Sequence, residues 1–183
     1  YQQARQLGLD IAGAFEGNGQ AQEDARKALG VSFTHDSYAA LLADPAIDLI
    51  AIGDTYGARG AMVIAALEAG KHVISDKPLC TSLKELETIQ TLARSRQLKI
   101  GLMLDLRYSP SAGPVERLIR SGQLGDIQAI FFSGQHPLMY GTRPGWYFEP
   151  GQHGGTLNDI AVHGLDLVAW LTGQHIEQVL AAR

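Results

Sequence analysis

The residues best suited to chemistry lie in the stretch 153–166, where a histidine and two glycines, His153-Gly154-Gly155, precede Asp159 and His163. The glycines read as a hinge opening a helix. On a helix, positions i and i+4 share one face, with Cβ atoms about 5–6 Å apart. A carboxylate beside an imidazole orients the ring and tunes it for proton transfer. The same pair also serves as a solvated or purely structural contact, so its meaning depends on what the fold brings to it.

Four other stretches carry candidate groups. Phe15-Glu16-Gly17-Asn18-Gly19 admits two readings. Gly17 and Gly19 begin a G-x-G-x-x-G phosphate loop whose third glycine is replaced by Gln22, so that match fails. Otherwise Glu16 is an acid at a strand end, able to accept hydrogen bonds from a ribose. Gly53-Asp54-Thr55-Tyr56-Gly57 is a polar loop after a highly apolar run, suited to close approach of a flat ligand or to a simple turn. Asp76-Lys77-Pro78 places a lysine in a rigid turn, as a site residue or as a surface cation. Asp105-Leu106-Arg107 offers a guanidinium for an anionic or polyhydroxy ligand, or for an ordinary salt bridge. Cys80, the single cysteine, reads as a small buried residue.

The elements that must position these groups follow from apolar spacing and punctuation. A helix is predicted over 20–29 with Gly30 as its stop, and a short one is capped by Asp36 or Ser37 and ended at Asp44-Pro45. Residues 48–53 form a continuous apolar run, predicting a strand covered on both faces. A helix over 58–69 and a strand over 71–75 follow. Ser82 and Glu85 have the spacing of a capping box ahead of an apolar stripe at Leu83, Leu86, Ile89, Leu92 and Ala93. A strand over 98–104 and a helix from Ser109-Pro110 to Arg120 complete the alternation. A strand is also expected over 9–15, and the tail of a helix over 1–7. Alternation with short connections predicts an α/β fold with a doubly wound, Rossmann-like parallel sheet. The pattern then changes. A long strand is predicted over 126–136, a loop with Pro137, Pro144 and Pro150 follows, then the helix of the opening stretch and a strand over 176–180. The expected division is a nucleotide-binding domain at 1–121 and the beginning of a second, α+β domain at 122–183.

Five ordered motifs make the chain resemble the Gfo/Idh/MocA oxidoreductases: Leu-Leu-Ala-Asp-Pro-Ala-Ile-Asp at 41–48, Ala-Leu-Glu-Ala-Gly-Lys-His-Val at 66–73, Asp76-Lys77-Pro78, Gly-Gln-Leu-Gly-Asp-Ile at 122–127 and Gly-Gly-Thr-Leu-Asn-Asp-Ile-Ala-Val-His at 154–163. The resemblance implies a dinucleotide-binding domain followed by a domain built on a mostly antiparallel sheet. The family's glycine fingerprint is expected before Tyr1 and about half of the second domain after Arg183. It also implies that Glu16 is the ribose acid, which favours NAD over NADP because a carboxylate repels a 2′-phosphate. Lys77, Asp159 and His163 then become the catalytic candidates, with His163 taking a proton, Asp159 orienting substrate or imidazole, and Lys77 steadying an alkoxide. Glu16, Gly53, Asp54, Thr55, Tyr56, Asp76 and Lys77 are the candidate cofactor residues, and Arg107, Trp146 and Tyr147 the candidate substrate residues. Several positions depart from the family pattern: Asp76 stands for a glutamate, Gly53-Asp54-Thr55-Tyr56 for Ala-Thr-Pro-Asn, Arg59 for a histidine and His153 for a glycine.

The expected activity is NAD-dependent oxidation of a secondary alcohol in a sugar, cyclitol or related polyol. A non-catalytic NAD-binding sensor and an NAD-dependent glycosidase are the alternatives. A net charge of −4 and a pI near 5.8 argue against nucleic acid as partner. No apolar run approaches the roughly 18 residues of a membrane span, and a lone cysteine suits a reducing compartment. A cytoplasmic enzyme, homo-oligomeric when full length and without a bound metal, is expected.

Overall fold

The computed structural model describes Ala4 and residues 6–181. The expected helix tail over 1–7 falls largely outside the described residues. In chain order the elements are α1 (Gly19–Leu29), α2 (Tyr38–Ala43), β1 (Leu49–Ile52), α3 (Tyr56–Glu68), β2 (His72–Asp76), α4 (Leu83–Ser95), β3 (Ile100–Met103), a 3-10 turn (Asp105–Tyr108), α5 (Ala112–Arg120), a second 3-10 turn (Gly145–Phe148), a π-helical turn (Leu157–Ala161) and α6 (Val162–Thr172).

The three strands form a parallel sheet in the order β1-β2-β3. Ile50 pairs with Val73 and Ile52 with Ser75, while Val73 pairs with Ile100 and Asp76 with Met103. Parallel neighbours require a crossover, supplied here by α3 and α4, which pack against each other. All three strands therefore point their carboxyl ends the same way, and the loops at 53–55, 76–78 and 104–105 gather at one edge.

The core lies between this sheet and α3. Ile50, Ile52 and Val73 meet Val63, Ala66, Leu67 and Ile89, of which Val63, Ala66 and Leu67 are wholly buried. Burying one such leucine contributes about 1.5–3 kcal/mol. On α3 the buried positions Arg59, Gly60, Val63, Ala66 and Leu67 recur at helical spacing, so one stripe faces the sheet. At Gly60 an added Cβ would lie 2.3 Å from the Glu85 side chain, which shows how closely α3 and α4 approach.

Several expectations are corrected. Residues 48–53 were expected to be covered on both faces, but Leu49 and Ala51 are exposed while Ile50 and Ile52 are buried. Successive side chains point to opposite faces, and one face alone meets the core. The Ser82–Glu85 capping box does not form, since Ser82 makes no side-chain cap bond and Glu85 is turned to Gly60 instead. No ladder forms over 9–15, 126–136 or 176–180, and no antiparallel pairing occurs among the described residues. A strand needs a continued ladder with its neighbour, and segment 9–15 makes only isolated bonds, such as Thr34 N to the Ala14 carbonyl at 3.0 Å. The caps at Ser37 and Gly30 stand where they were expected: Ser37 Oγ accepts from Ala40 N at 3.0 Å, and Gly30 closes α1 in the left-handed conformation.

Candidate active site

Two cavities open at the carboxyl edge of the sheet, and Asp76 lines both. The first, about 580 Å³, is lined by Glu16, Gly53, Asp54, Thr55, Tyr56 and Asp76, six of the seven candidate cofactor residues. The second, about 680 Å³, takes in Lys77 and His163 together with Asp105 and His136. Between the two lies Asp159, fully buried.

The first cavity fits a dinucleotide. It begins at an acid, Glu16, whose Oε1 accepts from Asn18 N at 2.8 Å. It passes the start of α3, where Thr55 makes no side-chain cap. The first N–H groups of a helix without such a cap favour negative charge. Gly53 has open space where a Cβ would stand, so backbone lies at the cavity surface. Trp146 and Tyr147, expected to contact substrate, line this first cavity, where the 3-10 turn at Gly145–Phe148 packs on Tyr56. Tyr56 meets Trp146 edge-on, with ring centroids 5.0 Å apart. Arg143 joins them with its guanidinium 4.0 Å from the Tyr147 ring centroid.

Lys77 and Asp159, 82 residues apart, meet directly. Lys77 Nζ donates to Asp159 Oδ1 at 2.5 Å and to the Asp159 carbonyl at 2.9 Å. β2 ends at Asp76, so the next side chain leaves the sheet edge and reaches the turn after Gly155. Beneath it Arg59, buried in α3, donates to the carbonyls of Lys77 and Pro78 and pairs with Asp76 Oδ2 at 3.4 Å. Asp76 Oδ1 accepts from Lys77 N at 2.8 Å. The Lys77–Pro78 peptide is cis.

The expected pairing of Asp159 with His163 is corrected. Asp159 Oδ2 accepts from Tyr147 Oη at 2.6 Å and contacts His153 Nε2 at 3.2 Å, while Oδ1 also accepts from Tyr56 Oη at 3.0 Å. His163 instead has Nδ1 3.7 Å from Asp105 Oδ1. The reason is the π-helical turn over Leu157–Ala161, a wide i→i+5 turn that changes the angular relation of residues on either side of it. Its entry is set by Gly154, at φ +73°, where a Cβ would strike the Thr81 side chain at 2.6 Å.

Burial alone would raise the Asp159 carboxyl pKa, but the hydrogen bonds from Lys77 and Tyr147 outweigh it and hold the group well below the ordinary carboxylate range. The phenols respond in the opposite sense. Burial and the adjacent Asp159 anion push both Tyr56 and Tyr147 up to about 12, so both remain donors. Asp159 is therefore a fixed anion that keeps a cation at its side.

Arg107 lines neither cavity. Its Nε donates to Asp166 Oδ2 at 2.5 Å and its Nη2 to Oδ1, so the salt-bridge reading replaces the ligand clamp. The pair ties the 3-10 turn at Asp105–Tyr108 to α6. Arg107→Gln is accordingly expected to lower stability by about 1.5–3 kcal/mol, as for other charged hydrogen bonds, while leaving substrate KM within twofold. Urea denaturation and initial-rate kinetics check the two halves. Asp105 and Leu106, in the same loop, reach the second cavity instead. His136 and His153 were not singled out for the site. The available signal for His153 was its departure from glycine. His136 had none, because 126–136 reads as an ordinary strand. Cys80 is half-buried, with its Sγ 3.6 Å from the Ser82 carbonyl and its thiol pKa raised by burial. Among the described residues no group of acids, histidines and cysteine is arranged to hold a metal ion, and no helix is long and apolar enough to cross a membrane.

Known proteins share this architecture. Residues 1–103 match the family described as an oxidoreductase family with an NAD-binding Rossmann fold, and residues 114–183 match the GFO/IDH/MocA C-terminal domain. A levoglucosan dehydrogenase of Pseudarthrobacter phenanthrenivorans is 26% identical over 164 residues, covering 87% of this chain and 42% of that protein. A scyllo-inositol 2-dehydrogenase (NAD(+)) of Bacillus subtilis is 29% identical, covering 88% of this chain and 45% of that protein. The chain thus spans less than half the length of these curated relatives. The structure of a scyllo-inositol dehydrogenase from Lactobacillus casei with bound NAD(H) and scyllo-inositol superposes with a TM-score of 0.67 at 22% identity, over 90% of this chain and 49% of that one, a likeness of fold. With the five motifs, the parallel sheet and the match over residues 1–103, this chain belongs to the Gfo/Idh/MocA oxidoreductase family and carries its NAD-binding Rossmann fold.

Proposed function

We propose that the chain is the nucleotide-binding and catalytic part of an NAD-dependent dehydrogenase acting on a secondary alcohol of a sugar, cyclitol or related polyol. The observation that carries this reading is His163. Its imidazole lines the same cavity as Lys77, and its buried Nδ1 has no hydrogen-bond partner among the described residues. Buried polar atoms are nearly always paired, and a substrate hydroxyl between His163 and Lys77 supplies the partner. Glu16, the loop at Gly53–Tyr56 and Asp76 would hold NAD, whose nicotinamide would supply the hydride acceptor. His163 takes the hydroxyl proton, and the Lys77 ammonium stabilises charge on the substrate oxygen. Asp159 keeps that ammonium aimed. Polyhydroxy substrates accord with the names of the levoglucosan and scyllo-inositol relatives. Glu16 in the nucleotide cavity favours NAD. Division at 121/122, assembly as a homo-oligomer and a cytoplasmic setting belong to the same reading.

The sensor alternative draws on Asp76, whose two oxygens are engaged by Lys77 N and Arg59. The full-length protein, titrated with NAD+ or NADP+ against a polyol panel that includes scyllo-inositol and levoglucosan, decides between them. Absorbance of reduced nicotinamide with NAD+ supports the dehydrogenase. Tight NAD+ binding with no reduction across the panel supports the sensor, and cleavage of a chromogenic glycoside without net reduction supports the glycosidase.

A further inference from the structure

Asp159 is bonded by side chains from four separate segments: Lys77 after β2, Tyr56 at the start of α3, Tyr147 in the 3-10 turn, and His153 just before Gly154. The division of labour between its oxygens is sharp. Oδ1 takes Lys77 and Tyr56, whereas Oδ2 takes Tyr147 and His153. A carboxylate only accepts hydrogen bonds, so His153 must present Nε2–H, which both the neutral tautomer and the imidazolium can do. Its ring also packs edge-on against Tyr147, with centroids 4.2 Å apart. The side chain of Asp159 rotates about one bond with a broad energy well; bonds on both oxygens are needed to hold its plane.

We propose that His153 is a positioning residue of the site: by occupying Asp159 Oδ2 it fixes the carboxylate plane, so that Oδ1 holds Lys77 Nζ toward the cavity shared with His163. It acts through Asp159 and touches no reacting atom. The other imidazole near Oδ2, His136 Nδ1, stands at 3.9 Å, beyond hydrogen-bonding distance. The inference deepens the dehydrogenase reading and rests on it for its kinetic arm.

Two variants of the full-length protein separate positioning from packing. His153→Phe keeps an aromatic ring against Tyr147 but removes the donor, while His153→Gln keeps a donor and loses the ring. The expected result is a fall in kcat of about 10–100-fold for the phenylalanine variant, typical of losing a partner that orients a site group. KM for NAD+ stays unchanged, and the glutamine variant recovers to within about threefold of wild type, well inside that range. A second readout needs neither cofactor nor substrate. In the NAD-free protein the 15Nζ signal of Lys77 is expected to be sharp, to broaden in His153→Phe, and to sharpen again in His153→Gln. A sharp signal in the phenylalanine variant, or failure of glutamine to restore it, overturns the proposal even if no polyol is ever oxidised. Absent turnover with the expected spectra overturns the dehydrogenase reading and leaves the positioning of Lys77 standing.

Discussion

Lys77→Met is expected to destabilise the protein by about 3–5 kcal/mol and to remove its dehydrogenase turnover, because it strands the buried Asp159 anion without its cation. Asp159 is fully buried, and Lys77 is nearly so. Breaking such a pair from one side is costly, whereas removing both charges is much less so. The double variant Lys77→Met/Asp159→Asn should therefore recover most of the lost stability while staying inactive. A double-mutant cycle by urea denaturation measures this; a double variant as unstable as the sum of the singles would show that the two side chains act independently. Acid titration adds a signed test. The folded-state pKa of Asp159 is depressed, so its contribution is fully present above the ordinary carboxylate value of 3.8 and is lost as pH falls below that value. In Asp159→Asn that part of the acid limb should flatten, and stability between pH 5 and 8 should change with pH as it does in wild type.

His163→Asn should lower kcat by about 10²–10⁴-fold, the usual worth of a positioned acid or base, with little change in stability. The imidazole makes no hydrogen bond among the described residues through its buried Nδ1, so the fold loses little when the ring goes. Asparagine can still meet a hydroxyl but cannot take its proton at neutral pH. The split between the two variants is informative: Lys77 carries both stability and activity, His163 activity alone. Initial rates with NAD+ and the polyol that the wild type oxidises, alongside thermal melts, read both. Unchanged kcat in the asparagine variant would remove His163 as the proton acceptor and turn attention to His136, which faces the same cavity.

Much of this site was legible in the chain before any tertiary structure. Glu16, the loop at Gly53–Tyr56, Asp76-Lys77 and Asp105-Leu106-Arg107 were picked out because each follows a predicted strand, and parallel strands deliver their ends to one edge. The rule worked for the three strands with ladder partners. For Glu16 the cavity contact holds although 9–15 forms no ladder, since the position depends on where the segment ends and not on its hydrogen bonds. Periodicity also found α1 with its stop at Gly30, together with α3 and α4, because helical hydrogen bonding and apolar stripes are local properties of the chain.

The opening stretch shows where local reasoning ended. Spacing alone placed Asp159 and His163 on one face of an ideal α-helix, and the π-helical turn withdrew that premise. Which oxygen of Asp159 meets which donor depends on four segments separated by up to 103 residues, and no local pattern encodes such distances. Arg107 makes the same point in reverse: its side chain could clamp a ligand, but Asp166, 59 residues away, takes it. What the sequence by itself determined is the set of chemical groups and the edge of the sheet to which they are delivered, because strands, helices and turns are set by short-range preferences. Only the tertiary structure decided that the partner of Asp159 is His153 and not His163, because hydrogen bonds to a buried carboxylate are awarded by three-dimensional approach and by the need to satisfy an anion shielded from water.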